Sequence, residues 1–509
     1  MADHFNSDIP PPPYTRHPHS SEIPASSTLT SQSDLSSSRS SRVRHSGRGH
    51  DLSGPNCYRI VGEALVTEAK WSSSSSSSSL STSRDKIDIS FNLKDNLPDL
   101  QYGISPSVKE YALDRNSNGN IPSLNIVIFF LGDKADLKPL LLIAIEMIKS
   151  YSHKVRITTQ EVHKDTFLQY RNRLNGLSDN NGIDLQDNLD FFDVLAKPNF
   201  SLNDWSNYPN QMEITLRSFY KSTYLQNTTT GSPFAADLII STPNTLAHTH
   251  LAELFGIPLH IIANSPISPT ITTPHASSNI QHSNAGNNLS NCLSYAAVEN
   301  LIWHDLGKTI NKNFRQIPLG LDYLDENAGP SQLDRLKTPI SYIYIWNSEI
   351  MRKPEDWKEN IDITGFIHDE MAQYRPSAEV VEFLKSGVSP IYVNIDLQDW
   401  DTDLRERVVS TIAGGLKKMG HRAILSIKGM DTNGQLPSDV LVLDNQDAVP
   451  WLLAGNRVSA VIYDGDFHIA SLAIKHAVPR IALLGEEHGG DGFWPRRLQQ
   501  LGASPQPIT

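Results

Sequence analysis

Apolar runs of strand length and amphipathic stretches alternate from Leu124 onward. Leu124–Leu131 (LNIVIFFL) reads as a buried strand, Gly132–Asp136 as a turn, Leu137–Lys149 as an amphipathic helix and Val155–Thr159 as the next strand. Leu238–Ile240 predicts another strand, with a helix running through Leu254. Asn291–Asn311 reads as helical, and Ile340–Trp346 as the strand that closes this series. A second series follows. It comprises helix Ala378–Leu384, strand Pro390–Ile395, helix Val408–Met419, and strands His421–Ser426 and Val440–Leu443. Its last part is strand Val458–Tyr463, a tight turn at Asp464-Gly465-Asp466, a helix over about Phe467–His476 and strand Pro479–Leu484. Strands joined by crossover helices predict an α/β fold with parallel sheets. A strand, a glycine turn and a helix N-terminus in succession place free backbone N–H groups at one spot, the arrangement that cradles phosphate.

Residues 1–84 lack this texture. They are rich in Ser, Pro, Arg and His, with Ser72–Ser79 unbroken, and bury too little apolar surface to offset their ordering entropy, so a disordered tail is expected. Pro11-Pro12-Pro13-Tyr14 is a PPxY sequence, read either as a polyproline II ligand for a WW-domain protein or as an inert proline tract. Tyr58–Lys70 and Ile87–Leu93 alternate briefly, as strands at the edge of the main body would. Residues 85–120 form a short extended segment ahead of the domains.

With 509 residues, 39% of them hydrophobic, the chain can bury two ordinary cores. The net charge of −12 argues against nucleic acid as a partner, because phosphate binding requires clustered Lys and Arg. Two cysteines, Cys57 and Cys292, exclude a disulfide framework and suit a reducing compartment. No apolar run reaches transmembrane length, so a cytoplasmic protein is expected, with at most peripheral membrane contact. His248 and His250 look like a metal pair, but a spacing of two on a helix splays the side chains. Core or cleft positions are expected for them, and no metal.

Val458–Trp494, with most of Leu124–Thr509, resembles the fungal sterol 3-beta-glucosyltransferase-like proteins, UDP-sugar-dependent glycosyltransferases. Their VVHHGGAGTTAAG motif matches VIYDGDFHIASLA here in frame and apolar pattern, and their PTxVVPFFGDQPFWG matches PRIALLGEEHGGDGFW. The motif histidines fall on Tyr463 and Asp464, and of the glycines only Gly465 is retained. The first turn, VGSRGDVQP in the family, retains Gly132, Asp136 and Pro139. Family GFGS falls on Asn394-Ile395-Asp396-Leu397, CPHDWLF on Asp447–Leu453, and TMPW on Asn264-Ser265-Pro266-Ile267. Arg352–Ile363 with Gly365-Phe366 has nearly the wording of the family linker.

The resemblance implies the GT-B architecture: two Rossmann-like domains with parallel sheets facing across a cleft, at 121–370 for the acceptor and 371–509 for the UDP-sugar, the latter shortened at its end. It implies transfer of a hexose from a UDP-sugar co-substrate, without a cofactor, to a sterol or other lipid-like alcohol. Asp136 takes the general base position, since Thr159-Gln160 stands where relatives carry Thr-His and glutamine cannot accept a proton. Gly465, Asp491 and Trp494 fall on the donor side, and His250, Pro266 and His275 on the acceptor side. The residues themselves leave Asp136 open between a base and a helix-terminal carboxylate, and Asp464-Gly465-Asp466 open between a rebuilt nucleotide site and a plain turn with an N-cap aspartate. Acceptor-only carboxylates where phosphate would sit favour an alternative, a catalytically inactive relative that binds a lipid or a protein partner.

Overall fold

A computed structural model describes residues 66–71, 87–91, 122–178, 182, 184–196, 208–227, 230–324, 340–369, 374–397, 402–428, 439–443, 445–484 and 492–508. The proline-tyrosine motif, the serine run and Asp491 lie outside these residues, as does most of the expected tail and pre-domain segment.

Within the range read as tail, Val66–Trp71 is a strand, β1, antiparallel to β2 (Ile87–Phe91). Strands β3 (Asn125–Phe129), β4 (Lys154–Thr159), β5 (Leu189–Asp193), β6 (Leu238–Ser241) and β7 (Leu259–Ala263) are all parallel. Strand β8 (Ser278–Ser283) leaves them to pair with β2, tying the early segment to the first domain. Strands β9 (Ser341–Tyr344) and β10 (Ile361–Ile363) complete a seven-stranded parallel sheet of order β10-β9-β7-β6-β3-β4-β5. The second sheet contains β11 (Ile391–Asp396), β12 (Ala423–Lys428), β13 (Val440–Val442), β14 (Ala460–Tyr463) and β15 (Arg480–Ala482), ordered β13-β12-β11-β14-β15 and again parallel. Strand β10 falls in the stretch read as linker; three residues are too few to show a period.

The helices in chain order are α1 (Lys134–Tyr151), α2 (Lys164–Arg171), α3 (Pro209–Ser222), α4 (His248–Phe255) and α5 (Asn287–Thr309) in the first domain. In the second they are α6 (Ala378–Lys385), α7 (Thr402–Met419), α8 (Val449–Leu453), α9 (Phe467–Lys475) and α10 (Phe493–Gln500). They cover both faces of the first sheet, which is why β3 and β4 are buried at nearly every position instead of alternating. On one face Val127, Phe129 and Ile239 pack against Phe219, Leu251 and Phe314. On the other, Ile126, Ile128 and Ile157 meet Leu137, Leu141 and Ile145 of α1. That second cluster continues through Tyr344, Trp346 and Trp357 into Tyr463, Phe467 and Trp494, so one apolar core serves both sheets.

The cysteine reading is corrected at one point. Cys292, buried on α5, is disulfide-bonded. A count of two bars a framework of several bridges but not a single one; Cys57 lies outside the described residues.

Candidate active site

Strand order reverses between β3 and β6 in the first sheet and between β11 and β14 in the second. At such a switch point neighbouring loops diverge and leave a crevice at the carboxyl ends of the strands, where α/β proteins bind ligands. The expected functional residues gather at these two places.

After β3 the chain turns through Gly132, where a Cβ would come within 3.0 Å of the Phe130 ring. The Gly132 carbonyl accepts from His163 Nε2 at 3.0 Å, which fixes the turn. Asp136 then stands in the first turn of α1, where the helix dipole favours a negative charge. Its Oδ1 accepts from Asn264 Nδ2 at 3.0 Å and from His468 Nε2 at 2.7 Å. Asn264 follows β7, whereas His468 comes from α9 of the other domain, so the pair crosses the cleft. Burial alone would lower the His468 pKa, but the hydrogen bond and charge of Asp136, with Asp466 nearby, outweigh it and raise the value above that of ordinary histidine. The pair is therefore an ion pair over a wider pH range than a free imidazole would allow.

Asp136 also forms part of the wall of a cavity of about 280 Å³ within the first domain. Pro139, Leu140, Ile262, Ile302 and Trp303 give it an apolar lining, and His250 and His275 line it too. Both histidines are buried. His275 is held by Ser277, whose backbone N–H donates to Nδ1 at 3.0 Å, and by Tyr295, whose ring stands edge-on at 5.3 Å. His250 Nδ1 lies 2.8 Å from Arg315 Nη1. Pro266 does not line the cavity; it is buried in the loop after β7, its carbonyl accepting from the Ala276 backbone N–H at 3.4 Å.

The second switch point holds carboxylates of the chain itself. Gly465 has φ +95°, a conformation that glycine adopts without strain, and so permits the turn after β14. On one side of it Asp464 Oδ2 accepts from the Asp396 backbone N–H at 3.0 Å, joining the ends of β14 and β11. On the other, Asp466 Oδ1 caps α9 by accepting from Ile469 N–H at 2.7 Å. An N–H of the helix terminus that a phosphate would use is thus occupied. Lys428 Nζ pairs with Asp396 at 3.1 Å; burial pulls its pKa down, but Asp396, Asp133 and Asp464 together raise it. Trp494 is buried rather than cleft-facing, its indole N–H donating to the Asn264 carbonyl at 2.9 Å.

Further contacts cross between the domains. Asp447, in the stretch aligned with the uracil-side motif, accepts from Lys138 at 2.7 Å and Lys134 at 3.3 Å. Burial would raise its pKa, yet the two lysines hold it below the ordinary carboxylate value. Arg497 Nε donates to the Ile350 carbonyl at 3.0 Å.

Of the expected residues, then, Asp136, His250 and His275 share one cavity, Gly465 shapes the facing turn, and Trp494 and Pro266 are internal. Sequence reading missed His468 and Asn264 as partners of Asp136. The available signal was position: His468 lies at the start of a helix that follows a switch-point strand. Among the described residues no group of three or more His, Cys, Asp or Glu is placed to hold a metal ion.

No family model matches the chain. It is 30% identical over 414 residues to the sterol 3-beta-glucosyltransferase UGT80A2 of Arabidopsis thaliana, covering 76% of this chain and 58% of that protein. It is 24% identical over 406 residues to sterol 3-beta-glucosyltransferase UGT80B1 of the same plant, covering 76% and 61%. The chain thus spans about three fifths of these relatives' length. Among solved structures, the kitacinnamycin glycosyltransferase superimposes with a TM-score of 0.51 at 12% identity, over 76% of this chain and 86% of that one. That likeness bears on the fold, and it agrees with two parallel sheets meeting at their switch points. The chain is thus similar in sequence to sterol 3-beta-glucosyltransferases, and its fold is GT-B.

Proposed function

We propose that this protein binds a sterol or similar lipid-like alcohol in the cavity beneath α1 and transfers a hexose to it from a UDP-sugar. The observation that supports this reading is Asp136: a carboxylate on the wall of an apolar cavity, with Oδ1 anchored by Asn264 and His468 and Oδ2 free of side-chain hydrogen bonds among the described residues. In the step proposed, Oδ2 takes the acceptor's hydroxyl proton as its oxygen bonds to the anomeric carbon. The bond from that carbon to the β-phosphate breaks, and its electron pair leaves with UDP. General-base catalysis of this kind contributes about 10²–10⁴-fold. Asp136→Asn keeps the shape and both anchoring contacts within reach. It should lower transfer to a sterol acceptor by at least about 10²-fold in a variant that still folds, and transfer at the parental rate would overturn the assignment.

A second reading, binding of the lipid without transfer, is favoured by Asp464 and Asp466 at the nucleotide side. It predicts sterol binding with no turnover of any UDP-sugar. Further proposals concern setting: a cytoplasmic location, peripheral membrane contact for lipid uptake, and docking of Pro11–Tyr14 on a WW-domain protein, which a Tyr14→Ala pull-down would test. No helix of the described residues is long and apolar enough to cross a membrane.

A further inference from the structure

Among the polar positions of the cavity that the transfer reading does not use, His250 has its hydrogen-bonding role fixed by a buried neighbour. Arg315, fully buried, donates from Nε to the Asp322 carbonyl at 2.9 Å and forms a two-pronged pair with Glu253 at 2.7 and 3.2 Å. Its Nη1 is also 2.8 Å from His250 Nδ1. A guanidinium has only donors, so Nδ1 must be the acceptor and the ring proton must sit on Nε2. Burial first, then the charge of Arg315 and the nearness of His248, push the His250 pKa well down and keep the ring neutral. The tautomer is fixed as well as the charge. Nε2–H is a donor on a cavity-lining residue, and no partner for it occurs among the described residues.

A buried donor without a partner is costly, and a site of this kind discriminates strongly in favour of a ligand that supplies one. Asp136 and His250 line the same cavity but share no hydrogen-bond partner, so they are two distinct polar points on its wall, which also carries Thr242, Asn244 and His275. We propose that the cavity selects alcohols with a second oxygen: the reacting hydroxyl lies at Asp136, and a ketone, ether or hydroxyl oxygen elsewhere on the rigid skeleton accepts from His250 Nε2–H. His250 is in this view a specificity-determining residue. The inference rests on the acceptor reading of the cavity and narrows it to oxygenated steroids.

The test compares epiandrosterone, whose ketone lies at the end of the skeleton remote from its hydroxyl, with the deoxo analogue that has the hydroxyl alone. Calorimetric titration of the full chain should give about 3- to 10-fold tighter binding for epiandrosterone, the range expected for one neutral hydrogen bond. His250→Asn preserves an acceptor for Arg315 and removes the distal donor, and should bind both compounds with the weaker constant. Equal binding of the two steroids by the unmodified chain would overturn this inference and leave the acceptor cavity standing. If neither binds, the acceptor reading falls and this inference with it. The comparison in the unmodified chain decides the matter even if the variant does not fold.

Discussion

At the scale of single residues, His468 does two things that the corresponding family glycine cannot. It orients the carboxylate of Asp136, and it places an imidazolium where the first turn of α9 meets the cleft. Because its folded pKa is raised, its contribution to stability is fully present below the unfolded value of about 6.5 and is lost as pH rises through the folded value. His248 behaves with the opposite sign. Burial lowers its pKa to about 4, so its contribution is intact above about 6.5 and is lost as pH falls toward about 4. Raw melting curves therefore mix opposing terms, and the informative quantity is a difference. The melting temperature of the parent minus that of His468→Gln should be largest below about pH 6.5 and shrink steadily on the alkaline side; a gap independent of pH would mean that the ion pair is not formed in solution.

At the scale of elements, the turn from β14 into α9 decides whether a nucleotide can bind. Asp466 takes a terminal N–H of α9, and Asp464 takes the N–H of Asp396, so a pyrophosphate would have to displace both carboxylates and face their charge. On the reading of lipid binding without transfer, millimolar UDP-glucose should therefore leave the melting temperature unchanged, whereas transfer requires a shift. The combined changes Tyr463→His, Asp464→His and Asp466→Gly should restore a measurable shift, at a cost of about 1 kcal/mol from the lost N-cap. A micromolar dissociation constant for the unmodified chain would refute that second reading and favour transfer. Much of this geometry was legible in the sequence: the apolar runs located β3, β4, β11 and β14, and Gly132 and Gly465 marked both turns. The N-cap of Asp466 was foreseen as one of two readings, and the structure has it. The bond from Asp464 to β11 and the reach of His468 to α1 were not legible, because each joins residues far apart in the chain through a register that periodicity does not encode. The burial of the Trp494 ring was not legible for a related reason: a motif tryptophan next to a cleft has the same local pattern whether its ring faces the ligand or the core.

At the scale of the whole molecule, the aromatic residues concentrate where the domains meet. Tyr344 stacks on Trp346 at 4.4 Å and on Trp357 at 4.8 Å, and Trp494 lies 5.4 Å from both Trp346 and Phe467. A large buried ring at such a junction contributes through area and through the contacts that a cavity would forfeit. Trp494→Ala should destabilise the protein by about 3–5 kcal/mol. It should also leave calorimetric unfolding as a single transition. Two resolved transitions in the parent would show that the cores are independent.

The shared core has a consequence for what a fragment of this chain can be. Cutting between Asp369 and Tyr374 separates the two sheets at the level of sequence but leaves Trp346 and Trp357 on one piece and Phe467 and Trp494 on the other, parting Trp346 from Trp494 and exposing the core face of each cluster. Expressed alone, either piece should aggregate, whereas co-expressed pieces should find each other and reassemble without a covalent link. The two halves would then act as a complementing pair, their reunion driven by indole rings rather than by any ligand in the cleft.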